Sequence, residues 1–266
     1  MIRSALMNVM TAAAIKASRG LKRDFGEVEN LQVSVKGPGD FVTAADRRAE
    51  KTLQDELTKA RPGYGLVMEE AGVIDGSDKT HRWIIDPLDG TTNFLHGLPI
   101  FAISIALERE GQIVAGLVYN PITDDMYVAE KGQGAYYNNR RLRIAQRQEL
   151  ASALVGCGVP HQGKAGQHPK FRAELAAVMS KVHNIRRLGS ASLDLALTAA
   201  GRLDAYWENG LSNWDIAAGI LLVREAGGFV TDTAGGSTML ESGSVCAGNE
   251  AMHGQLLAIL KSAADT

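Results

Sequence analysis

The stretch Trp83-Ile84-Ile85-Asp86-Pro87-Leu88-Asp89-Gly90-Thr91-Thr92-Asn93-Phe94 sets two carboxylates three residues apart, directly after an apolar run with the character of a strand. Acids set so close at the end of an apolar segment are costly unless something neutralises them, and a divalent cation is the simplest neutraliser. Backbone N–H groups near Gly90 and Thr91, where they point outward, would suit a phosphate.

Three other places carry acids that could join the first pair. Glu69-Glu70 follows the strand-like Leu66-Val67-Met68, Asp215 starts a helix after Trp214, and Asp46 opens another after Thr43-Ala44-Ala45. Taken singly, each has a structural explanation: a solvated loop pair, or a first-turn acid favoured by the helix dipole. Asp89-Gly90 alone is a common turn. The joint pattern differs, because Asp86 and Asp89 flank Pro-Leu and run straight into Gly-Thr-Thr-Asn. A calcium-binding helix-loop-helix needs acids at alternate positions, a Gly at the sixth and a Glu at the twelfth, which this segment lacks. Phosphatases that form a phospho-aspartate carry acids two apart on one strand end. Here they are three apart, so the two carboxylates are expected to point in different directions, which disfavours direct attack by Asp86.

The elements that must position these acids are legible from period and punctuation. Leu6, Val9, Met10, Ala13 and Ala17 share one face of a first helix. Thr43 to Asp46 reads as a capping box before a helix with Ala49, Leu53, Leu57 and Ala60 on its apolar face, stopped by Arg61-Pro62-Gly63. From Phe101 the period becomes two, through Leu107, Ile113 to Tyr119, Met126 to Ala129 and Ala135 to Tyr137, predicting an antiparallel meander. Beyond residue 145 strands and helices alternate: Leu154 to Gly156, a helix over Pro169 to Val182, and one capped by Ser190 or Ser192. Then come Ala205 to Trp207, a helix from Trp214 capped by Asn213, strands at Phe229 to Thr231 and Ser244 to Ala247, and a last helix capped by Asn249. The expectation is an α+β N-terminal lobe over 1–145 with an antiparallel sheet, and an α/β C-terminal lobe over 146–266, forming one catalytic unit.

The 266 residues, 45% hydrophobic with 29 Gly and 7 Pro, suit a turn-rich enzyme with a large core. A net charge of −2 argues against direct nucleic-acid or membrane binding. Two cysteines without C-x-x-C and six scattered histidines argue against a disulfide framework or a zinc cluster. They fit a reducing, cytoplasmic setting, and any metal would be held by carboxylate oxygens, pointing to Mg²⁺ or Mn²⁺. The start of the chain slightly resembles a signal peptide, but Asn8 and Thr11 interrupt it and Lys16, Arg19, Lys22 and Arg23 follow, so an amphipathic helix is expected.

Asp86-Pro87-Leu88-Asp89-Gly90-Thr91-Thr92-Asn93-Phe94 and Trp214-Asp215-Ile216-Ala217-Ala218-Gly219 resemble the two signatures of the inositol monophosphatase family, in its bacterial inositol-1-monophosphatase type. The likeness extends to Asp40-Phe41-Val42-Thr43-x-x-Asp46, Glu69-Glu70, Gly189-Ser190-Ala191 and Glu225-Ala226-Gly227-Gly228, in order along nearly the whole chain. Met68 departs from it, where relatives commonly carry Gly, Ser or Thr. The resemblance implies a layered α-β-α-β-α sandwich of the sugar phosphatase type. It implies one Mg²⁺ held by Glu69, Asp86 and the Leu88 carbonyl, a second held by Asp86, Asp89 and Asp215, and a weaker third near Glu69, with Mn²⁺ as the alternative metal. It also implies hydrolysis by metal-activated water, with Thr91, oriented by Asp46, and Glu69 handling that water. The phosphate would lie against Glu69, Leu88, Asp89, Gly90 and Thr91. The alcohol would lie against Gly189, Ser190, Ala191, Glu208 and Asp215. Arg187 would serve the substrate or a dimer partner, and Lys36 would sense the phosphate or be solvated. The implied substrate is an inositol monophosphate. Histidinol phosphate, fructose-1,6-bisphosphate and 3′-phosphoadenosine nucleotides are rivals, as is a protein-binding role in a transcription or RNA-processing complex. A homodimer is implied.

Overall fold

The structure, a computed structural model, describes residues 4–25, 27, 33–37 and 40–264, with backbone only for 33–37, 40–42 and 264. The side chain of Lys36 and the Asp40 to Val42 part of the motif therefore lie outside the described side chains. Five layers stack in the order helix, sheet, helix, sheet, helix.

The first layer is α1 (Ala5–Phe25) with α2 (Ala44–Ala60), preceded by a two-stranded ribbon, β1 (Val33–Gly37) and β2 (Asp40–Thr43). Met7, Met10, Ala13, Ala14, Ala17 and Leu21 line the buried face of α1, while Leu6 and Val9, expected on that face, are only half-buried at its edge. The second layer is an eight-stranded sheet. It comprises β3 (Tyr64–Met68), β4 (Gly72–Ile74), β5 (Asp78–Asp89), β6 (Ala102–Arg109), β7 (Gln112–Asn120), β8 (Asp125–Glu130), β9 (Gly134–Tyr137) and β10 (Arg140–Arg141). A short helix, α3 (Thr91–Leu95), follows β5. Strands β5 to β10 form the expected antiparallel meander, while β3 joins β5 in parallel and β4 caps that edge.

The second sheet takes the order β12-β11-β13-β15-β14. Its strands are β11 (Leu154–Cys157), β12 (Asn184–Arg186), β13 (Ala205–Asn209), β14 (Phe229–Thr231) and β15 (Ser244–Gly248). The helices are α4 (His168–Met179), α5 (Ala191–Ala199), α6 (Asn213–Glu225), α7 (Met239–Ser242) and α8 (Glu250–Ala264). Helices α5 and α6 are buried between the sheets, and their burial on all sides matches their nearly unbroken apolar sequence. One apolar core runs through both sheets, including Ile84, Val118, Leu195, Tyr206, Leu222 and Val245. A second lies between the first sheet and α1/α2, and a third between the second sheet and α4/α8. No helix among the described residues is long and apolar enough to cross a membrane.

Candidate active site

Strand β5 runs on through the acidic motif instead of ending before it. Asp86 pairs with Ser104 of β6 and Asp89 with Ala102, so three steps on β5 oppose two on β6. Pro87, which has no N–H for the ladder, sits in this bulge. The extra residue corrects the expectation that the carboxylates diverge. Ser104 and Ala102 are two apart and share a face, so the residues opposite them, Asp86 and Asp89, share that face too. It is the face toward α6, where the Ser104 hydroxyl donates to the Trp214 carbonyl at 3.2 Å, next to Asp215.

Each acid is held by its own donors. The Leu88 N–H donates to Asp86 Oδ1 at 2.8 Å. Asp89 Oδ2 accepts from the Ser190 hydroxyl at 2.7 Å, the Ser192 N–H at 2.7 Å and the Ser192 hydroxyl at 2.5 Å. Asp215, at the start of α6, accepts the Ser212 N–H at 2.7 Å, so Ser212 caps that helix and Asn213 lies within it, one residue beyond the expected cap. Glu69 follows β3. The turn it belongs to is tied to α2, where the Glu70 N–H donates to Glu50 at 2.8 Å.

These acids act on one another through their charges. Burial pushes the Asp86 carboxyl well up, and the charges of Glu69, Asp89 and Asp215 push it further. Asp215 is pushed up by burial and then by Asp89, with Glu69 and Glu208 adding to it. Asp89 is also raised by burial, against the lowering effect of its serine donors. A low-dielectric site disfavours several like charges, and a hard cation relieves that cost. Among the described residues, no three Asp, Glu, His or Cys side chains are yet gathered closely enough to hold an ion as they stand. One oxygen each of Asp86, Asp89 and Asp215 accepts from N–H or hydroxyl donors of the chain. In kind the donor set fits Mg²⁺ or Mn²⁺: four carboxylates and the Leu88 carbonyl, all oxygen.

Beside the acids stands a relay. Asp46 is fully buried in the first turn of α2 and completes the predicted capping box. Its Oδ2 accepts the Thr43 N–H at 2.9 Å and the Thr43 hydroxyl, and Thr43 Oγ1 accepts the Ala45 N–H at 3.0 Å. Its Oδ1 faces the Thr91 hydroxyl at 3.1 Å, and Thr91 Oγ1 lies equally close to the Leu88 carbonyl. Burial raises the Asp46 carboxyl, while hydrogen bonds from Thr43 and Thr91 oppose the rise. The dipole explanation for Asp46 is therefore only half of its role, because its second oxygen serves the motif 45 residues away.

Gly90 caps α3 with φ of +100°, and a Cβ there would lie 3.0 Å from the Ile100 carbonyl oxygen. Gly90→Ala is expected to cost about 1–3 kcal/mol, read as a lower thermal-unfolding midpoint. Asn93, inside the motif, binds the Ile100 carbonyl at 2.7 Å and the Leu188 carbonyl at 2.8 Å, so it pins the motif to the Gly189-Ser190-Ala191 segment. Ser190 is the N-cap of α5 by position, yet its hydroxyl serves Asp89 and makes no capping bond. Arg187 is exposed, and its guanidinium folds back over Gly189. Ala191 is buried at the head of α5. Glu208 lies near the end of β13 with its carboxyl raised to about 7, chiefly by burial.

Sequence reasoning missed Ser192, Asn93 and Tyr206. By local spacing Ser192 is an alternative helix cap, Asn93 a motif position without a role of its own, and Tyr206 one residue of a short strand.

A sequence profile described as the inositol monophosphatase family matches residues 3–264. The chain is 62% identical to the inositol-1-monophosphatase of Mesorhizobium japonicum over 98% of both chains. It is 41% identical to the Nus factor SuhB of Pseudomonas aeruginosa over 96% of both. The crystal structure of the extragenic suppressor protein suhB from Bartonella henselae superposes with a TM-score of 0.94 at 55% identity, covering 97% of this chain and 99% of that one. The family profile over nearly the whole chain and the high identity to a curated relative show that this chain belongs to the inositol monophosphatase family and is a phosphoric monoester hydrolase.

Proposed function

We propose that the chain hydrolyses an inositol monophosphate to inositol and phosphate in a Mg²⁺-dependent reaction. The observation that carries this reading is the Asp46–Thr91–Leu88 relay standing beside Asp86 and Asp215, carboxyls that the charges of Glu69 and Asp89 act on.

Glu69, Asp86, Asp89, Asp215 and the Leu88 carbonyl are the groups that would hold two ions or more, Asp86 serving both. Divalent cations bound there supply the charge that acidifies a water molecule and offsets charge on the phosphate. The chain's own groups do the rest. Thr91 Oγ1, its proton directed to Asp46 or Leu88, offers its lone pairs to a water, orienting that water in line with the phosphorus–oxygen bond. Asp46, raised by burial, takes up the proton through Thr91. Glu69 assists in handling that water. Backbone N–H groups at Gly90 and Thr91 hold phosphate oxygens. Ser190 and Ser192 fix the rotamer of Asp89 through three hydrogen bonds. Gly189, Ser190, Ala191 and Glu208 receive the polyol, with Arg187 at its rim. No covalent phosphoenzyme is needed. Although Asp86 shares a face with Asp89, its Oδ1 is engaged by the Leu88 N–H.

The alcohol is tested by phosphate release from inositol 1-phosphate, histidinol phosphate, fructose-1,6-bisphosphate and a 3′-phosphoadenosine nucleotide at one Mg²⁺ concentration. The expected order places inositol 1-phosphate first. A large preference for any rival refutes the substrate.

The likeness to a Nus factor favours a second role as a binding module for a transcription-complex protein. Cells carrying Asp86 and Asp89 variants in place of the wild type separate the two: a phenotype that needs the acids is catalytic, and one that survives their loss is the binding role. We also propose a cytoplasmic homodimer whose lobes, 1–145 and 146–266, act as one unit. The free, buried Cys157 and Cys246 fit the compartment, and the core shared by both sheets supports the lobes acting as one unit.

A further inference from the structure

We propose that Tyr206 is a positioning residue that fixes the Glu208 carboxylate for polyol recognition, so that the two act as one specificity-determining pair. This rests on the reading of Glu208 as an alcohol-side group.

Tyr206 and Glu208 are two apart on β13 and therefore project from the same face, toward α5. Tyr206 is fully buried within the apolar core that joins the sheets. A phenol hydroxyl in such a place must find a partner, and this one donates to Glu208 Oε2 in a short hydrogen bond. The carboxyl is held on its other side by the chain itself. A Cβ on Gly158 would lie 1.6 Å from Glu208 Cδ, so the carboxyl rests flat on the backbone just after β11. With Oε2 committed to the phenol and the group backed by Gly158, Oε1 is left as the acceptor for substrate hydroxyls.

The charges of Asp89, Arg187 and Lys164 all act on this carboxyl. Asp194, 1% exposed and with an Oδ1 that has no hydrogen-bond partner, feels the charge of Glu208 in turn. An unclamped Glu208 could swing away from so acidic a neighbourhood. The phenol is the neutral donor that holds it there. Phe in place of Tyr206 would keep the packing and remove only that donor.

The experiment compares kcat/KM for inositol 1-phosphate with that for p-nitrophenyl phosphate, which has no polyol, in the wild type, Y206F, E208Q and the double variant. E208Q is expected to lower the ratio of the two by about 10- to 100-fold, as for loss of a hydrogen bond to a charged group. Y206F is expected to lower it by about 3- to 10-fold, through KM rather than kcat, and to lower it no further in the E208Q background. A ratio unchanged in Y206F, or an equal further loss when Y206F is added to E208Q, overturns the positioning role, because a packing defect would act on both substrates and in both backgrounds. If E208Q itself leaves the ratio unchanged, the alcohol-side reading of Glu208 falls, and the inference with it. Far-ultraviolet circular dichroism and the unfolding midpoint of each variant confirm that the comparison is made on folded protein.

Discussion

Asp89→Asn is expected to lower kcat for inositol 1-phosphate by about a thousandfold or more while leaving the fold intact. The amide is nearly the same size as the carboxylate, and its carbonyl oxygen can accept from the Ser190 hydroxyl, the Ser192 N–H and the Ser192 hydroxyl as Asp89 Oδ2 does. Packing and the serine contacts therefore survive. What is lost is one negative charge from a group whose charges already act on Asp86 and Asp215. Removing it relieves the repulsion among the acids, so the variant is expected to be as stable as the wild type or more so when divalent metal is withheld. Activity is expected to move the other way, because the proposed donor set for a second cation falls from three carboxylates to two. A thousandfold loss corresponds to about 4 kcal/mol of transition-state stabilisation, within the range for electrostatic groups at reacting centres. Steady-state kinetics across a Mg²⁺ series, with a thermal melt of the same preparations, measures both effects. Near-normal turnover of the variant at saturating Mg²⁺ contradicts the assignment.

Thr91→Val is expected to lower kcat by about a hundredfold or more, with KM changed far less. Valine keeps the volume and the β-branching, so α3 and the Asn93 contacts are retained. The lost hydroxyl is the group that joins Asp46 to the Leu88 carbonyl edge, with 3.1 Å to each. Without it, a water has no hydroxyl to orient it and Asp46 has no path to its proton; positioned proton transfer is typically worth about 10²- to 10⁴-fold. Thr91→Ser restores the hydroxyl and is expected to recover most of the rate. Asp46→Asn is expected to fall to a similar level, and the double variant to be little worse than either single one, because the two residues serve one proton path. Additive losses in the double variant would show that Thr91 and Asp46 act separately.

Features with local causes were legible in the sequence. The capping box at Thr43 and Asp46, the apolar stripe of α1, the β6 to β9 meander and the Asn249 cap of α8 each follow from a few neighbouring residues. Features set by distant partners were not. The spacing of Asp86 and Asp89 implied divergence, and only the slip of β5 against β6 at Pro87 brings them to one face. Helix α3 has five residues, too few to show a period. Local spacing offers Ser190 or Ser192 as a helix cap, capping being a common local use of serine, yet both hydroxyls answer Asp89, about a hundred residues earlier. Nothing in the short run Ala205 to Trp207 discloses that the Tyr206 hydroxyl reaches Glu208. The convergence of Asp215 and Glu69 on Asp86 rests on the family likeness at the level of sequence, and on the packing of α6 against β5 in the structure.

The most direct test of the account is phosphate release from inositol 1-phosphate by metal-stripped wild-type protein as Mg²⁺ is added. The expected result is no release above background before addition and a saturable rise with Mg²⁺, abolished by chelator and absent in Asp89→Asn. Release at the full rate in excess chelator, or no release at any Mg²⁺ concentration, would contradict it.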